Sequence, residues 1–266
     1  MKVWGKVFGF LFGLMLSKSI FGALLGLWLG HRFDKGLGLN FDEFAQLSEE
    51  NRQSAFFNCT FTTMGFIAKA NGRVSQHEIA FASAYMDKLG LNTQMRQQAQ
   101  DAFREGKMAG FPLEQHLKKF KRICINRQDL LLLFLEIQIQ VAFADGQLDN
   151  EERNALHRIA RILGFSAVEL DRLLEMIIAG ANFHQQGESN RKAGSPQQLE
   201  NAYKLLGVTS GDPEKVIKKA YRKLMAQHHP DKLVAKGLPP EMMEVAKQKA
   251  QDIQAAYEMI QAQNKS

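Results

Sequence analysis

Two stretches of this chain, 74 positions apart, carry the same residue pattern. A chain that repeats itself in this way is built from like units that bury a face against each other. Ile67-Ala68-Lys69-Ala70-Asn71-Gly72-Arg73-Val74-Ser75-Gln76-His77-Glu78 matches Val141-Ala142-Phe143-Ala144-Asp145-Gly146-Gln147-Leu148-Asp149-Asn150-Glu151-Glu152. The same offset joins Leu89-Gly90-Leu91 to Leu163-Gly164-Phe165. Each unit reads as a helix, an Asn/Asp-Gly turn and a second helix. Ser75 or Asp149 caps that helix, with Glu78 or Glu152 three residues on in the capping-box arrangement. A pseudo-twofold helical bundle over about residues 51–183 is therefore predicted, with Phe134, Leu135, Ile137, Ile139, Val141 and Phe143 in its core. Asp145, Asp149 and Glu152 have the donor chemistry for a cation. However, Asn71 and Ser75 stand at the equivalent places in the first unit, and the turn lacks the ligand spacing of an EF-hand. Capping accounts for these residues, and no metal or other cofactor is expected.

Ahead of the repeat, Val7 to Leu16 and Ile20 to Gly30 make an apolar block of about membrane-spanning length, closed by His31, Arg32 and Lys35. This predicts a transmembrane helix over residues 7–30, after a stub of residues 1–6 and before a juxtamembrane segment of residues 31–50. Lys2 and Lys6 would suit a secretory signal, but the block is longer than a signal's apolar core and no Ala-x-Ala-like site follows. Lys18, near the centre, costs about 2.5 to 3.5 kcal/mol on insertion scales. Roughly fifteen strongly apolar neighbours outweigh it. Glycines at 5, 9 and 13, and again at 22, 26 and 30, form two small-residue ladders of the Gly-xxx-Gly kind. Gly9, Gly13, Gly22, Gly26 and Gly30 are accordingly expected to line a helix–helix contact between two copies of the chain.

The C-terminal part carries the most specific chemistry. In Lys215-Val216-Ile217-Lys218-Lys219-Ala220-Tyr221-Arg222-Lys223-Leu224, the residues Lys215, Lys218, Lys219 and Arg222 share one arc of a helix. Val216, Ile217, Ala220, Tyr221 and Leu224 cover the other side. Asp212 reads as the N-cap, with Pro213 at the first helical position. Pro230 disfavours helical geometry at His229, so the helix should end near His228 and expose a His229-Pro230-Asp231 corner. A short helix ended by Gly207 precedes this run. A longer one follows, with its apolar stripe at Ala246, Ala250, Ile253, Tyr257 and Ile260. The polar stretch 184–197, with Gly187, Gly194, Ser195 and Pro196, reads as a flexible linker that lets the C-terminal unit swing. Only Cys59 and Cys124 are present, neither in a Cys-x-x-Cys pair, so a disulfide scaffold or zinc module is unsupported.

In this order and spacing, Ala202 to Val208, the Lys-Ala-Tyr-Arg-Lys-Leu run, His228 to Lys232 and Ile253 to Glu258 resemble the J domain of the DnaJ (Hsp40) family, over about residues 198–266. The repeat resembles the TerB-like (tellurite-resistance) helical domain. The whole chain is similar to the membrane-anchored DnaJ-like co-chaperones of Gram-negative bacteria. That resemblance implies an all-α protein: one N-terminal transmembrane helix, a TerB-like bundle, a linker and a J domain formed as an antiparallel helical hairpin. It also implies a regulatory, non-enzymatic partner of the Hsp70 DnaK at the cytoplasmic face of the inner membrane. There it would accelerate ATP hydrolysis by DnaK, with a link to capsular polysaccharide through envelope signalling. Lys2 and Lys6 oppose Arg32 and Lys35, so charge does not set the orientation; a cytosolic Hsp70 partner would place the N-terminus in the periplasm. Lys218, Tyr221, Arg222 and Lys223 match the family's Hsp70-facing helix positions, and His229, Pro230 and Asp231 match its triggering tripeptide. A tellurite- or metal-responsive membrane sensor is the alternative; it would require tight metal binding by the bundle. Nucleic-acid binding by the basic helix is opposed by its apolar backing and by the nearby Glu241, Glu244, Asp252 and Glu258.

Overall fold

The computed structural model describes residues 41–70, 72, 76–144, 146–188 and 195–264. Every regular element among them is a helix: α1 (Phe41–Ile67), α2 (Gln76–Lys88), α3 (Thr93–Gly106), α4 (Leu113–Ile123), α5 (Gln128–Ala142), α6 (Asn150–Leu163), α7 (Ala167–Glu188), α8 (Pro196–Leu206), α9 (Glu214–His228), α10 (Pro230–Ala235), a 3-10 turn (Pro240–Met242) and α11 (Met243–Gln263). The chain divides into two units, Met1–Ser48 and Glu49–Ser266. Among the described residues no helix is long and apolar enough to cross a membrane. The expected transmembrane segment 7–30, with Gly9, Gly13, Gly22, Gly26 and Gly30, lies outside the described residues.

The repeat survives as structure. Helices α2 and α6 begin at Gln76 and Asn150, and α3 and α7 at Thr93 and Ala167, each pair 74 positions apart. Gly72 and Gly146 have φ of +84° and +87°; Gly90 and Gly164 have +60° and +101°. All four lie in the left-handed region that lets a helix stop and turn, where a Cβ is strained. Capping repeats as well. The Asn92 side chain accepts from the Met95 N–H, and Ser166 and Glu169 bond reciprocally at the corresponding place before α7. Asp149 makes the expected capping box with Glu152, taking its N–H at 2.7 Å while the Glu152 carboxylate takes the Asp149 N–H at 3.1 Å. Ser75, its counterpart, lies outside the described residues, as do Asn71 and Asp145.

Helix α1 from Phe56 onward and α5 from Leu130 onward hold the core, each buried on nearly every side as a helix enclosed by others is. Phe134, Leu135, Ile137, Ile139 and Val141 are buried as expected, and Phe143 is half-buried. Phe56, Phe120 and Phe134, from α1, α4 and α5, pack with ring centroids 4.8 to 6.1 Å apart. Backbones come close where α1 meets α3. A Cβ on Gly65 would collide with the Phe103 carbonyl, and one on Gly106 with the Thr62 carbonyl. Both cysteines are buried free thiols. Burial pushes the Cys124 thiol up to about 12 and the Cys59 thiol up as well, so neither presents a ready thiolate.

Helices α8 to α11 form the C-terminal unit, with α9 and α11 packed as a hairpin. Gly207 ends α8 with φ of +66°, as the sequence predicts. Asp212 does not cap α9. Pro213 occupies the N-cap position, and the Asp212 carboxylate instead accepts from the N–H and hydroxyl of Thr209, closing the preceding turn. Val216 is exposed rather than buried, since it stands about 100° around the helix from Ile217. On α11 the buried register is Ala246, Ala250, Ile253, Ala256 and Ile260, while Tyr257 lies at its edge.

Of the predicted linker 184–197, residues 184–188 continue α7, and Ser195 caps α8, which starts at Pro196; residues 189–194 lie outside the described residues. The C-terminal unit packs on the bundle rather than standing off from it. Met176 and Phe183 of α7 join the buried cluster of Leu205, Leu206, Ile217 and Ile253. Leu233, Leu238, Met242, Val245 and Ala246 join the core of the bundle. Each large apolar side chain so buried contributes about 1.5 to 3 kcal/mol. A polar stretch breaks the helical pattern but says nothing of the apolar faces on either side of it, and these faces dock the C-terminal helices on the bundle.

Candidate functional site

Pro230 shapes the corner at the end of α9. His229 leaves the helix in extended geometry, φ −64° and ψ 119°, and Pro230 opens α10 at its first position. His229 and Asp231 are exposed and Pro230 is half-buried. Lys218 and Arg222 are exposed on one arc of α9. Tyr221 is half-buried, its ring stacked on Tyr257 of α11. Lys223 stands about 100° beyond Arg222 around the helix. It is exposed at the rim of a crevice between α9 and the bundle, which Asp129, Glu136, Glu169 and Arg172 also line. Hydrogen bonds from the Ser166 N–H and hydroxyl, aided by the Lys223 charge, hold the Glu169 carboxyl below its ordinary range. Thus the structure gathers Lys218, Arg222, His229 and Asp231 on open surface, turns Lys223 toward the bundle and gives Tyr221 to the hairpin packing.

Directly beneath this corner is a feature that the sequence reading passed over. His228, next to the tripeptide, is 1% exposed and faces Glu136 of α5, itself 2% exposed. The His228 Nε2 and a Glu136 oxygen are 3.4 Å apart, and the Lys249 ammonium of α11 is 3.9 Å from the other oxygen. Neither imidazole nitrogen reaches hydrogen-bond geometry with a protein group. Burial holds the His228 imidazole below its usual range, outweighing the opposing pull of Glu136. Three more polar side chains of the bundle reach the C-terminal unit. Asp129 pairs with Lys236, Arg52 donates to the Lys236 carbonyl at 3.4 Å, and Arg172 donates to the Gly207 carbonyl at 2.8 Å. One signal was legible: Glu136 is the one charged residue between Leu130 and Val141, and a charge on an enclosed helix needs a partner.

A basic helix that ends in an exposed His-Pro-Asp corner, carried on a hairpin and fused to a twofold α bundle, defines a J-domain protein with a TerB-type bundle. Comparison with known proteins agrees across the chain. Residues 201–266 match the DnaJ domain, residues 60–175 the tellurite resistance protein TerB, and residues 1–40 the co-chaperone DjlA transmembrane domain. The chain is 49% identical over 271 residues to the co-chaperone protein DjlA of Yersinia pestis, covering 98% of each. It is 50% identical over 271 residues to that of Photobacterium profundum, covering 97% of this chain and 98% of the relative. With that of Escherichia coli it shares 46% over 269 residues, covering 99% and 98%. No solved structure matches. The chain belongs to the DjlA family of J-domain co-chaperones. Its J domain implies an Hsp70 partner, and its N-terminal segment implies a membrane anchor.

Proposed function

We propose that this co-chaperone stimulates ATP hydrolysis by the Hsp70 DnaK at the cytoplasmic face of the inner membrane, with its N-terminus in the periplasm. The observation that carries the reading is the joint exposure of His229, Asp231, Lys218 and Arg222, on an α9–α10 corner that Pro230 fixes. The ammonium and guanidinium groups would steer the chain onto an acidic Hsp70 surface, and Asp231 would pair with an Hsp70 arginine. Lys223 supports this surface from its rim, and Tyr221 sets the spacing of the two hairpin helices. None of these residues acts on ATP, so the chemistry belongs to the partner. The Gly9, Gly13, Gly22, Gly26 and Gly30 ladder supports pairing of two anchors, which would bring two J domains to one patch of membrane. An output in envelope signalling, through capsular polysaccharide, fits a trigger tethered there. The test is association of the full-length chain, in detergent, with ATP-loaded DnaK. Binding should weaken steeply as salt rises and be lost in the double variant Lys218→Glu, Arg222→Glu; binding indifferent to both would overturn the reading.

A further inference from the structure

We propose that Glu136, a residue of the bundle, is a positioning residue for the His229-Pro230-Asp231 corner, acting through His228, with Asp129 as a second anchor through Lys236. This rests on the DnaK-stimulating reading above. Asp129 and Glu136 are seven residues apart on α5, hence on one face and about 10 Å apart along the axis. Their partners flank the corner: His228 directly precedes the tripeptide and Lys236 directly follows α10. Between them Leu233, fully buried, plugs α10 into the bundle core. Arg52 of α1 holds the same turn by its Lys236 carbonyl. The short helix that carries Pro230 and Asp231 is thus gripped from the inside at three successive points.

A carboxylate within an enclosed apolar helix is costly, and the core alone would be served better by leucine. The polar groups that face Glu136 are the His228 imidazole and the Lys249 ammonium, both from the J domain. Its placement therefore makes sense as a docking contact between the bundle and the J domain. The contact holds the trigger without masking it, because His229, Asp231, Lys218 and Arg222 stay exposed while His228 is engaged.

The test titrates DnaK with full-length chain in detergent, comparing wild type, Glu136→Gln, Asp129→Asn and the inactive reference His229→Gln. Backbone hydrogen exchange is followed alongside. Glu136→Gln keeps the volume and removes the charge. The maximal stimulated rate should fall about tenfold, in the range that small misplacements of a reacting constellation cost. The concentration for half-maximal stimulation should stay unchanged, and exchange should quicken across residues 231–236 alone. Asp129→Asn should act in the same direction, more weakly. An unchanged maximal rate would overturn the proposal, and so would loss of both parameters together with faster exchange throughout the bundle. Should wild type give no stimulation at all, the functional reading fails separately. The anchor is then decided by exchange: faster exchange confined to α10 upholds it and unchanged exchange removes it.

Discussion

The Tyr221 ring lies flat on Tyr257, with centroids 4.2 Å apart and planes 10° from parallel. This stack clamps α9 to α11 beside the exposed arc that bears Lys218 and Arg222. Tyr221→Ala should destabilise the hairpin by about 1 to 3 kcal/mol through lost burial and stacking. Tyr221→Phe keeps the ring and should leave both stability and DnaK binding near wild type. A binding defect in the phenylalanine variant, with unchanged thermal unfolding, would mean that the hydroxyl itself meets the partner.

Gly65 and Gly106 set the closest approach of α1 and α3. A methyl at Gly65 meets backbone, which cannot rotate away as a side chain can. Gly65→Ala should therefore cost about 1 to 3 kcal/mol by overpacking. Gly211→Ala, where a Cβ has open space, should be nearly neutral. Thermal unfolding of both variants checks the contrast.

Asp149 caps α6 and its partner Glu152 is already spent on the cap. Asp149→Ala should lower stability by about 1 kcal/mol, whereas Asp149→Asn should keep most of it. Divalent cations should not raise the unfolding temperature of wild type. A cation-dependent rise lost in Asp149→Asn would favour the metal-sensing alternative.

How much of this was legible in the sequence depended on whether a signal was local. The repeat placed the starts of α2 and α6, because caps and left-handed glycines act within a turn of where they stand; α3 and α7 then keep the same offset. Pro230 announced its corner for the same reason. The docking of the J domain on the bundle was not legible. It depends on Leu233, Leu238 and Met242 finding a distant core, and no pattern within the C-terminal unit distinguishes those residues from its own core. Likewise His228 and His229 are adjacent and chemically alike; only the direction of the helix end buries one and exposes the other. Asp212 stood at the right place for a cap, but Thr209, on the other side in the chain, claimed its carboxylate.

The buried imidazole makes the docked state sensitive to pH. His228 faces Glu136 and Asp129 of α5 and Lys249 of α11, and burial lowers its pKa on docking. A base with a depressed pKa contributes fully above its free value, about 6.5, and its contribution is lost as pH falls below that value toward the docked one. Denaturant unfolding should thus show wild type weakening as pH falls below about 6.5 more than His228→Gln does. Parallel curves for the two proteins would show that another group carries the acid sensitivity.

The central claim is that the exposed His229-Pro230-Asp231 corner is the working end of the molecule. Single-turnover ATP hydrolysis by DnaK, measured with the full-length chain in detergent, tests it most directly. Wild type should accelerate hydrolysis, and His229→Gln should abolish the acceleration while unfolding at the same temperature. An absence of stimulation by wild type, or stimulation that survives His229→Gln, would contradict the account.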